Sequence, residues 1–202
     1  MKQKIILATT SPRRHGLAQT MGLDFEIVPS HYEEDMEKNK KMSPKEMVVT
    51  FAHGKALDVA KKLKEGIVIG VDTIVVLKGK KLGKPKNDKQ AYEMLKSFSG
   101  KKQYVYSGVC MIDCKTGKVI KDCESTAVYF NKLDDIEIKS YIKTGEYKDK
   151  AGGYGMQDLA SIFIKKINGC YFNVMGFPIC NIYKNLRKLG VNIFEFERWK
   201  IK

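Results

Sequence analysis

The chain has 202 residues, of which 43% are hydrophobic and 30% are charged, and its formal net charge is +14. This length can bury one good core, as a single domain or as two lobes around a cleft. The positive charge favours a polyanionic partner and keeps a nucleic-acid-binding protein as an alternative. However, the lysines are spread from end to end in short clusters, which is more typical of a solvated surface than of a binding stripe.

The cysteines and the N-terminus exclude several other classes of protein. The five cysteines are odd in number and lack a C-x-x-C pair, which argues against structural zinc and against a disulfide framework. We therefore expect a reducing compartment. The apolar run in "MKQKIILATTSPRR" is too short for a signal peptide or a membrane span, so we expect a cytoplasmic protein with no membrane partner.

The first predicted elements are a short buried strand at residues 4–8, a tight turn and a helix. Ser11 is a favoured N-cap residue, Pro12 suits the first helical position, and Gly22 fits just after the helix as a left-handed cap. Such a turn directs free backbone N–H groups and the positive end of the helix dipole at one small volume.

Two adjacent arginines, Arg13 and Arg14, stand at this helix start. Cations there cost stability unless an anion binds, and the arginine fork binds phosphate oxygens in a bidentate way that lysine cannot. Only four of the 37 basic residues are arginines: Arg13, Arg14, Arg187 and Arg198. Two solvated surface arginines are the plain alternative, but their position and scarcity favour a phosphate site.

A second helix is predicted over residues 43–66, with Ser43 and Glu46 as a capping box and Gly66 at its end. Lys55 falls on the apolar face of this helix. Its ammonium either extends to solvent, which is the commoner outcome for a lysine, or meets a buried anion. The sequence leaves both alternatives open.

A buried strand is predicted over residues 67–77, and it contains Gly70 and Asp72. An ionised carboxylate in such a strand is costly unless a cation, a metal or hydrogen bonds hold it. A bend at Gly70 that lets Asp72 reach solvent is the alternative, but we favour a functional role. Lys84 follows beside another glycine in "LGKP".

The rest of the chain predicts helices and strands that do not strictly alternate, which indicates an α/β fold with a mixed sheet. They are a helix over 88–98, strands over 104–112 and 119–130, a helix over 134–143, a strand over 159–167, a hairpin turn at Asn168-Gly169 and a last helix over 178–190. The glycine-rich "KAGGYG" just before Gln157 allows positive φ or close approach to a ligand.

The residues that could carry chemistry are cations and carboxylates. Besides the arginine turn they comprise Lys55, Lys84, Asp72 and the acidic pair Glu33 and Glu34. Several cations with a few carboxylates suit a metal-bound polyphosphate. The residues alone therefore indicate metal-assisted phosphate-ester or nucleotide chemistry.

Six stretches run in a characteristic order from residue 7 to about residue 190: "LATTSPRRHGLAQTMG", "FAHGKA", "GVDTIVV", "LGKP", "FSGKKQYVYSGV" and "GEYKDKAGGYGMQ…INGCYFNVMGFP". In these stretches the chain resembles the Maf (septum-formation) family of nucleoside triphosphate pyrophosphatases. The resemblance implies a fold like that of inosine triphosphate pyrophosphatases. It would be one Maf-like domain over residues 1–202, with a mixed twisted sheet, flanking helices and two lobes around a central cleft.

The resemblance implies hydrolysis of a nucleoside triphosphate to the monophosphate and pyrophosphate, assisted by Mg²⁺ or Mn²⁺. The family's functional positions carry over to catalytic Asp72, Lys84 and Lys55, to substrate-binding Ser11, Arg13, Arg14, Thr73 and Gln157, and to the metal ligand Glu34. Asp72 is either the general base or a second metal ligand, and the resemblance favours the base. A homodimer is compatible with the resemblance, and no nucleic-acid partner is expected.

Within the family, "SPRR" resembles the dTTP and UTP hydrolases, whereas tryptophan after "SP" is typical of hydrolases of 7-methyl-GTP. Arg13, Thr73 and Gln157 match the specificity positions of the first group. The sequence departs from the family at Gln103, where histidine is usual, and at Asp158, where glycine is usual and which bears on the base pocket. A pyrophosphatase for other or modified nucleotides and a non-catalytic nucleic-acid-binding protein are the alternatives.

Overall fold

A computed structural model of the chain describes residues 3–196, so Arg198 lies outside the described residues. Its strands are β1 Ile5–Leu7, β2 Phe25–Ile27, β3 Ile67–Leu77, β4 Lys80–Leu82, β5 Lys102–Asp113, β6 Val119–Phe130 and β7 Ile164–Asn168. Its α-helices are α1 Pro12–Thr20, α2 Pro44–Ala60, α3 Asp88–Phe98, α4 Asp135–Lys143, α5 Tyr171–Val174 and α6 Ile179–Lys188.

The seven strands form one mixed sheet in the order β2-β1-β3-β5-β6-β7, with β4 paired to β3. Strand β1 is parallel to both of its neighbours, β2 and β3. In contrast, β4 is antiparallel to β3 and β7 is antiparallel to β6. The predicted α/β fold with a mixed sheet and flanking helices is therefore confirmed.

Local capping signals explain where several helices begin and end. Pro12 opens α1, and Gly22 follows that helix with a φ of 72°. Ser43 and Glu46 form the predicted capping box of α2, in which each side chain bonds the backbone N–H of the other residue. These interactions involve residues close in sequence, which is why the sequence predicts them well.

The chain divides into two compact units. The first comprises Met1–Asp72, Ser107–Glu124 and Gly176–Lys202, and the second comprises Thr73–Tyr106 and Ser125–Met175. Strands β3, β5 and β6 each contribute residues to both units. The single domain over residues 1–202 and its central cleft stay predictions.

The core of the first unit lies between α2 and the sheet. Strands β1, β3 and β5 supply its apolar side chains, together with one face of the helix: Ile6, Ala8, Ala52, Ala56, Val59, Ala60, Val68, Cys110 and Ile112. No helix within residues 3–196 is both long and apolar enough to span a membrane.

The core of the second unit is rich in aromatic rings. Tyr154 packs edge-on against Phe130 at a centroid distance of 5.1 Å, and Phe98 lies 5.3 Å from Phe130. Gln103, which stands where the resemblance leads us to expect histidine, is buried here and donates a hydrogen bond to the Tyr154 hydroxyl. Its amide therefore has a packing role in this unit.

Three sequence-based expectations were wrong. Helix α2 ends at Ala60 and not near Gly66, because the N–H groups of Lys62 and Leu63 already bond carbonyls three residues back and tighten the last turn. Leu159–Phe163 forms a 3₁₀ helix and only Ile164–Asn168 is a strand. The buried residues Ala160 and Phe163 are three apart, which is the period of a 3₁₀ helix.

The hairpin turn predicted at Asn168-Gly169 is absent from the described structure, since the chain continues into α5. Gly169 serves another purpose. A Cβ atom at this position would lie 2.9 Å from the Thr126 hydroxyl oxygen and 3.1 Å from its Cα atom. The glycine therefore lets the backbone pass close to β6.

Candidate active site

The turn between β1 and α1 is organised by Thr9 and Arg14. The buried Thr9 hydroxyl accepts hydrogen bonds from the Ser11 backbone N–H at 3.2 Å and from Arg14 Nη1 at 3.4 Å. Arg14 Nε also donates to the Gly176 carbonyl oxygen at 2.9 Å. The Ser11 side chain does not cap α1 within the described residues, so its hydroxyl is not committed to the helix.

Arg14 is held in a strongly polar environment. Burial lowers the pKa of its guanidinium, while the carboxylates of Asp72 and Glu34 oppose that decrease and Arg13 adds to it. The charges of Asp72, Glu34 and Arg13 thus all act on the Arg14 guanidinium. The arginine pair predicted from the sequence belongs to a wider charged cluster.

Helix α2 approaches the sheet closely at two glycines. A Cβ atom at Gly70 on β3 would lie 2.2 Å from the Ala52 carbonyl oxygen, and one at Gly108 on β5 would lie 2.2 Å from the Val48 carbonyl oxygen. Any side chain at either position would push the helix away from the sheet. The alternative interpretation, a bend at Gly70 that lets Asp72 reach solvent, is therefore wrong, and Asp72, two residues later, is only 4% exposed.

This close packing brings Lys55 of α2 against Asp72 of β3. The Lys55 Nζ atom lies 2.8 Å from Asp72 Oδ1 and 2.5 Å from Glu34 Oε1, and it also donates to the Val71 carbonyl oxygen at 3.4 Å. Of the two alternatives for Lys55, the buried anion partner is confirmed. Asp72 Oδ2 is buried and has no hydrogen-bond partner in residues 3–196.

The loop that carries Glu34 is anchored to α2 by Asp58. Asp58 Oδ2 accepts hydrogen bonds from the His31 backbone N–H at 2.8 Å and from the Ser30 hydroxyl at 3.2 Å. The His31 N–H makes the largest contribution to a lowered pKa of the Asp58 carboxyl. Tyr32, two residues before Glu34, is thereby kept beside the helix.

Gly54 leaves the space that Tyr32 needs. A Cβ atom at Gly54 would lie 2.3 Å from the Tyr32 ring. The ring also lies 6.3 Å from the ring of Phe51 on the same helix. Gly54, the residue before Lys55, therefore permits the loop that carries Tyr32 to pack closely against α2.

Sequence reasoning missed two residues that position this cluster, Thr9 and Asp58. Thr9 stands in "ATTSP", directly before the turn. Asp58 follows Lys55 by three residues and so lies on the same side of α2. That spacing was the available signal for Asp58, but its partners lie 27 and 28 residues away in the chain.

The remaining predicted site residues belong to the second unit. Thr73 follows Asp72 on β3 and is half-buried. Lys84 is exposed, and its Nζ atom lies 3.5 Å from the carboxylate of Asp149. Gln157 Nε2 donates a hydrogen bond to Asp158 Oδ2 at 2.7 Å. The structure thus gathers Arg14, Glu34, Lys55 and Asp72 in the first unit.

The oxygen donors of this cluster fit a hard divalent cation. Asp72 Oδ2 is a buried acceptor without a partner, and Glu34 is 44% exposed at its side chain. Among the described residues, no group of three or more His, Cys, Asp or Glu side chains could hold a metal ion. Mg²⁺ commonly uses one or two carboxylates and takes its other ligands from phosphates and water.

The fold is shared with a HAM1 protein from Coxiella burnetii, whose structure matches with a TM-score of 0.51 at 12% sequence identity, over 92% of this chain and 99% of that chain. A likeness at this identity concerns the fold alone. The sequence matches the family of Maf-like proteins over residues 4–189. The chain belongs to this family, which confirms the resemblance inferred from its motifs.

Two relatives are similar in sequence to this chain over almost their whole length. It is 47% identical over 191 residues to a dTTP/UTP pyrophosphatase of Clostridium tetani, covering 93% of this chain and 98% of that protein. It is 43% identical over 187 residues to a dTTP/UTP pyrophosphatase of Carboxydothermus hydrogenoformans, covering 93% of this chain and 99% of that protein.

Proposed function

We propose that this protein hydrolyses dTTP and UTP to the nucleoside monophosphate and pyrophosphate. Relatives that are 43–47% identical over almost their whole length bear the name dTTP/UTP pyrophosphatase. The observation that carries the proposal is the buried contact of Lys55 with Asp72, beside Glu34 and Arg14. Cations and carboxylates in one place suit a polyphosphate and the water that attacks it.

The cations of the cluster would bind the phosphates. The backbone N–H groups at the start of α1, the Ser11 hydroxyl and the forks of Arg13 and Arg14 would hold phosphate oxygens. Lys55 would neutralise charge that develops on the departing pyrophosphate. Lys84, whose exposed ammonium lies 3.5 Å from the carboxylate of Asp149, is proposed as a further catalytic cation.

Asp72 would act on the attacking water. Lys55 holds its Oδ1 atom at 2.8 Å, which leaves the buried Oδ2 atom to accept a proton as water attacks the α-phosphorus. Glu34, with Asp72 as the alternative second ligand, would hold Mg²⁺ or Mn²⁺. When bound, the cation would neutralise phosphate charge.

A panel of nucleoside triphosphates tests the proposal directly. Pyrophosphate release would be measured for dTTP, UTP, CTP, ITP and 7-methyl-GTP with Mg²⁺ or Mn²⁺, and with EDTA as a control. We expect metal-dependent turnover that is highest for dTTP and UTP. Highest turnover of 7-methyl-GTP would instead place the protein in the other substrate group.

A matched pair of variants connects that activity to the cluster. Asp72→Asn keeps the shape of the side chain and should lower kcat by about 100-fold or more, because the proton acceptor is lost. Asp135→Asn makes the same change at a half-exposed position on α4 and should leave kcat unchanged. Equal rates for the two variants would refute the role of Asp72.

We also propose that the protein works in the cytoplasm without a nucleic-acid partner. All five cysteines are free, which fits a reducing compartment. The absence of turnover on every nucleotide, together with salt-dependent binding to DNA or RNA, would favour the nucleic-acid alternative. A homodimer stays a prediction that light scattering can check.

A further inference from the structure

Thr9 is fixed at the end of β1 by its own backbone. The N–H group of the preceding residue, Ala8, donates to the Ile69 carbonyl oxygen of β3 at 2.9 Å. His15 Nε2 on α1 lies 3.0 Å from the Thr9 carbonyl oxygen. Because a carbonyl oxygen only accepts hydrogen bonds, the ring nitrogen is the donor. A strand and a helix therefore both hold the main chain at Thr9.

The Thr9 hydroxyl joins two parts of the turn between β1 and α1. Thr9 is buried, and its hydroxyl oxygen accepts hydrogen bonds from the Ser11 backbone N–H at 3.2 Å and from Arg14 Nη1 at 3.4 Å. A hydroxyl oxygen has two lone pairs, so these two donors use its whole capacity as an acceptor. Thr9 thereby connects the backbone of the turn to the guanidinium of Arg14.

Gly176 supplies a second anchor for the same guanidinium. Its carbonyl oxygen accepts a hydrogen bond from Arg14 Nε at 2.9 Å, and its φ of 91° lies in the region that favours glycine. Hydrogen bonds at two different nitrogens fix a planar guanidinium both in place and in rotation. Thr9, Arg14 and Gly176 all belong to the first unit.

Both of these anchors are neutral groups. The carboxylates of Asp72 and Glu34 act on Arg14 through their charge, whereas a hydroxyl and a backbone carbonyl orient the guanidinium without adding a charge. An arginine side chain has many rotamers, and binding that has to order it is weaker by about three- to tenfold. Here the folded protein orders the side chain before a ligand binds.

We propose that Thr9 is a positioning residue whose hydroxyl oxygen holds the Arg14 guanidinium in the orientation that binds the triphosphate. The inference rests on the proposed function, which assigns Arg14 to the phosphate oxygens. Thr9 acts through Arg14 and does not itself bind the substrate. Serine can therefore replace Thr9, whereas valine, which has nearly the same shape but no hydroxyl, cannot.

Solvent exchange of the Arg14 Nε–H proton, followed by NMR, tests the positioning without any substrate. We expect Thr9→Val to make this exchange about threefold faster or more, because loss of the Nη1 bond lets the guanidinium leave the Gly176 carbonyl more often. Thr9→Ser keeps the hydroxyl and should change the exchange rate by less than about twofold. The matched control is Thr20→Val, at an exposed position where the hydroxyl donates to the Gly16 carbonyl oxygen of its own helix. It should leave the rate unchanged.

Binding of a UTP analogue with a methylene bridge between its α- and β-phosphates tests the consequence for the triphosphate. Calorimetric titration in the presence of Mg²⁺ measures the Kd of each variant. Thr9→Val should raise this Kd by about three- to tenfold, because binding then has to order Arg14. Thr9→Ser and Thr20→Val should change it by less than about twofold. With UTP itself, Thr9→Val should raise KM by a similar factor and lower kcat by less than about threefold, since the proposed catalytic groups are intact.

A double variant separates positioning from a general structural effect of the missing hydroxyl. Arg14→Met removes every donor of the guanidinium and should raise the Kd of the analogue by itself. In that background Thr9→Val should change the Kd by less than about twofold, because its effect passes through Arg14. Thermal unfolding checks that each variant is folded. Arg14→Lys, which keeps the charge but lacks the planar fork, takes the place of Arg14→Met if that variant does not fold.

The outcomes distinguish this inference from the proposed function. Three results would overturn the inference and leave the function standing, provided that UTP is hydrolysed. They are an unchanged Arg14 exchange rate or an unchanged Kd in Thr9→Val, an equal effect of Thr9→Val with and without Arg14, and a Thr9→Ser variant that behaves like Thr9→Val. If the unaltered protein neither binds the analogue nor hydrolyses any nucleotide, the proposed function fails and the inference fails with it.

Discussion

The Lys55 ammonium lies 2.8 Å from the carboxylate of Asp72, and both side chains are almost fully buried, at 10% and 5% exposed. A helix and a strand supply this pair, and the glycine at position 70 lets the two elements touch. Removing one member would leave the other charge buried without its partner. The pair therefore links the stability of the first unit to the chemistry proposed for it.

Lys55→Met should lower the free energy of unfolding by about 3–5 kcal/mol, as expected when a buried ion pair loses one partner. Urea unfolding followed by circular dichroism measures this change. The matched control is Lys4→Met, since the ammonium of Lys4 pairs with Glu26 at 2.8 Å on the surface. That variant should lose less than about 1 kcal/mol.

The double variant Lys55→Met/Asp72→Leu tests the same buried ion pair by removing both of its charges. Replacing both charges with apolar side chains should recover much of the stability that Lys55→Met loses. Pyrophosphate release should remain absent, because both proposed catalytic groups are gone. If Lys55→Met and Lys4→Met lowered the free energy of unfolding by the same amount, the buried position of the Lys55–Asp72 pair would not explain its effect on stability.

Gly70→Ala should lower the free energy of unfolding by about 1–3 kcal/mol, because the added methyl group would overlap the backbone of α2. It should also displace Lys55 from Asp72 and slow turnover. Gly16→Ala is the matched control, since nothing lies within 4 Å of a Cβ atom there and the residue is inside α1. That change should stabilise the protein by up to about 1 kcal/mol.

Measuring both alanine variants by urea unfolding separates steric overlap from helix propensity. The two substitutions are chemically identical, so opposite signs can come only from their surroundings. A stabilising effect of Gly70→Ala would show that α2 and β3 do not touch at this residue.

Acid should weaken the hydrogen bonds by which the Asp58 carboxylate anchors the loop that carries Glu34. The pKa of Asp58 is lowered, chiefly by the His31 N–H. A carboxyl group with a lowered folded-state pKa contributes stability that is fully present above its unfolded-state pKa of about 3.9 and is lost as pH falls through the folded value. The His31 amide resonance should therefore titrate with a midpoint below about pH 3.9.

Asp58→Ala should remove that titration and free the loop at neutral pH. Amide hydrogen exchange at His31 should become faster, because its N–H loses the acceptor 2.8 Å away. Asp35→Ala, which changes an exposed residue farther along the loop, serves as the control and should leave the His31 amide unaffected. Persistence of the titration in Asp58→Ala would assign it to another group.

Glu34→Gln should raise the Mg²⁺ concentration needed for half-maximal pyrophosphate release by about tenfold, because a charged ligand becomes neutral. The neighbouring Glu33→Gln removes the same charge from an adjacent exposed position. It should change that concentration by less than about twofold. If both changes raised this Mg²⁺ concentration equally, the effect would come from the overall charge of the loop, and Glu34 would not be a specific metal ligand.

Patterns that depend on neighbouring residues could be predicted from the sequence. The capping box of Ser43 and Glu46, the start of α1 at Pro12 and the glycine after it are all present as expected. Their hydrogen bonds span three or four residues, so local conformational preference decides them. The prediction of a strand over residues 159–167 was wrong at its first five residues. A short apolar run fits a 3₁₀ helix as well as a strand, so the local pattern does not decide between them.

The sequence by itself determined the α/β class, the family and the identity of the charged residues, because periodicity and ordered motifs depend on near neighbours along the chain. Only the tertiary structure decided what those charges meet. Lys55 could have extended to solvent, and Asp72 could have reached it through a bend at Gly70. Their contact instead depends on α2 packing directly on β3, and the two residues are 17 positions apart. Contacts of that kind follow from the packing of whole elements, which no local pattern encodes.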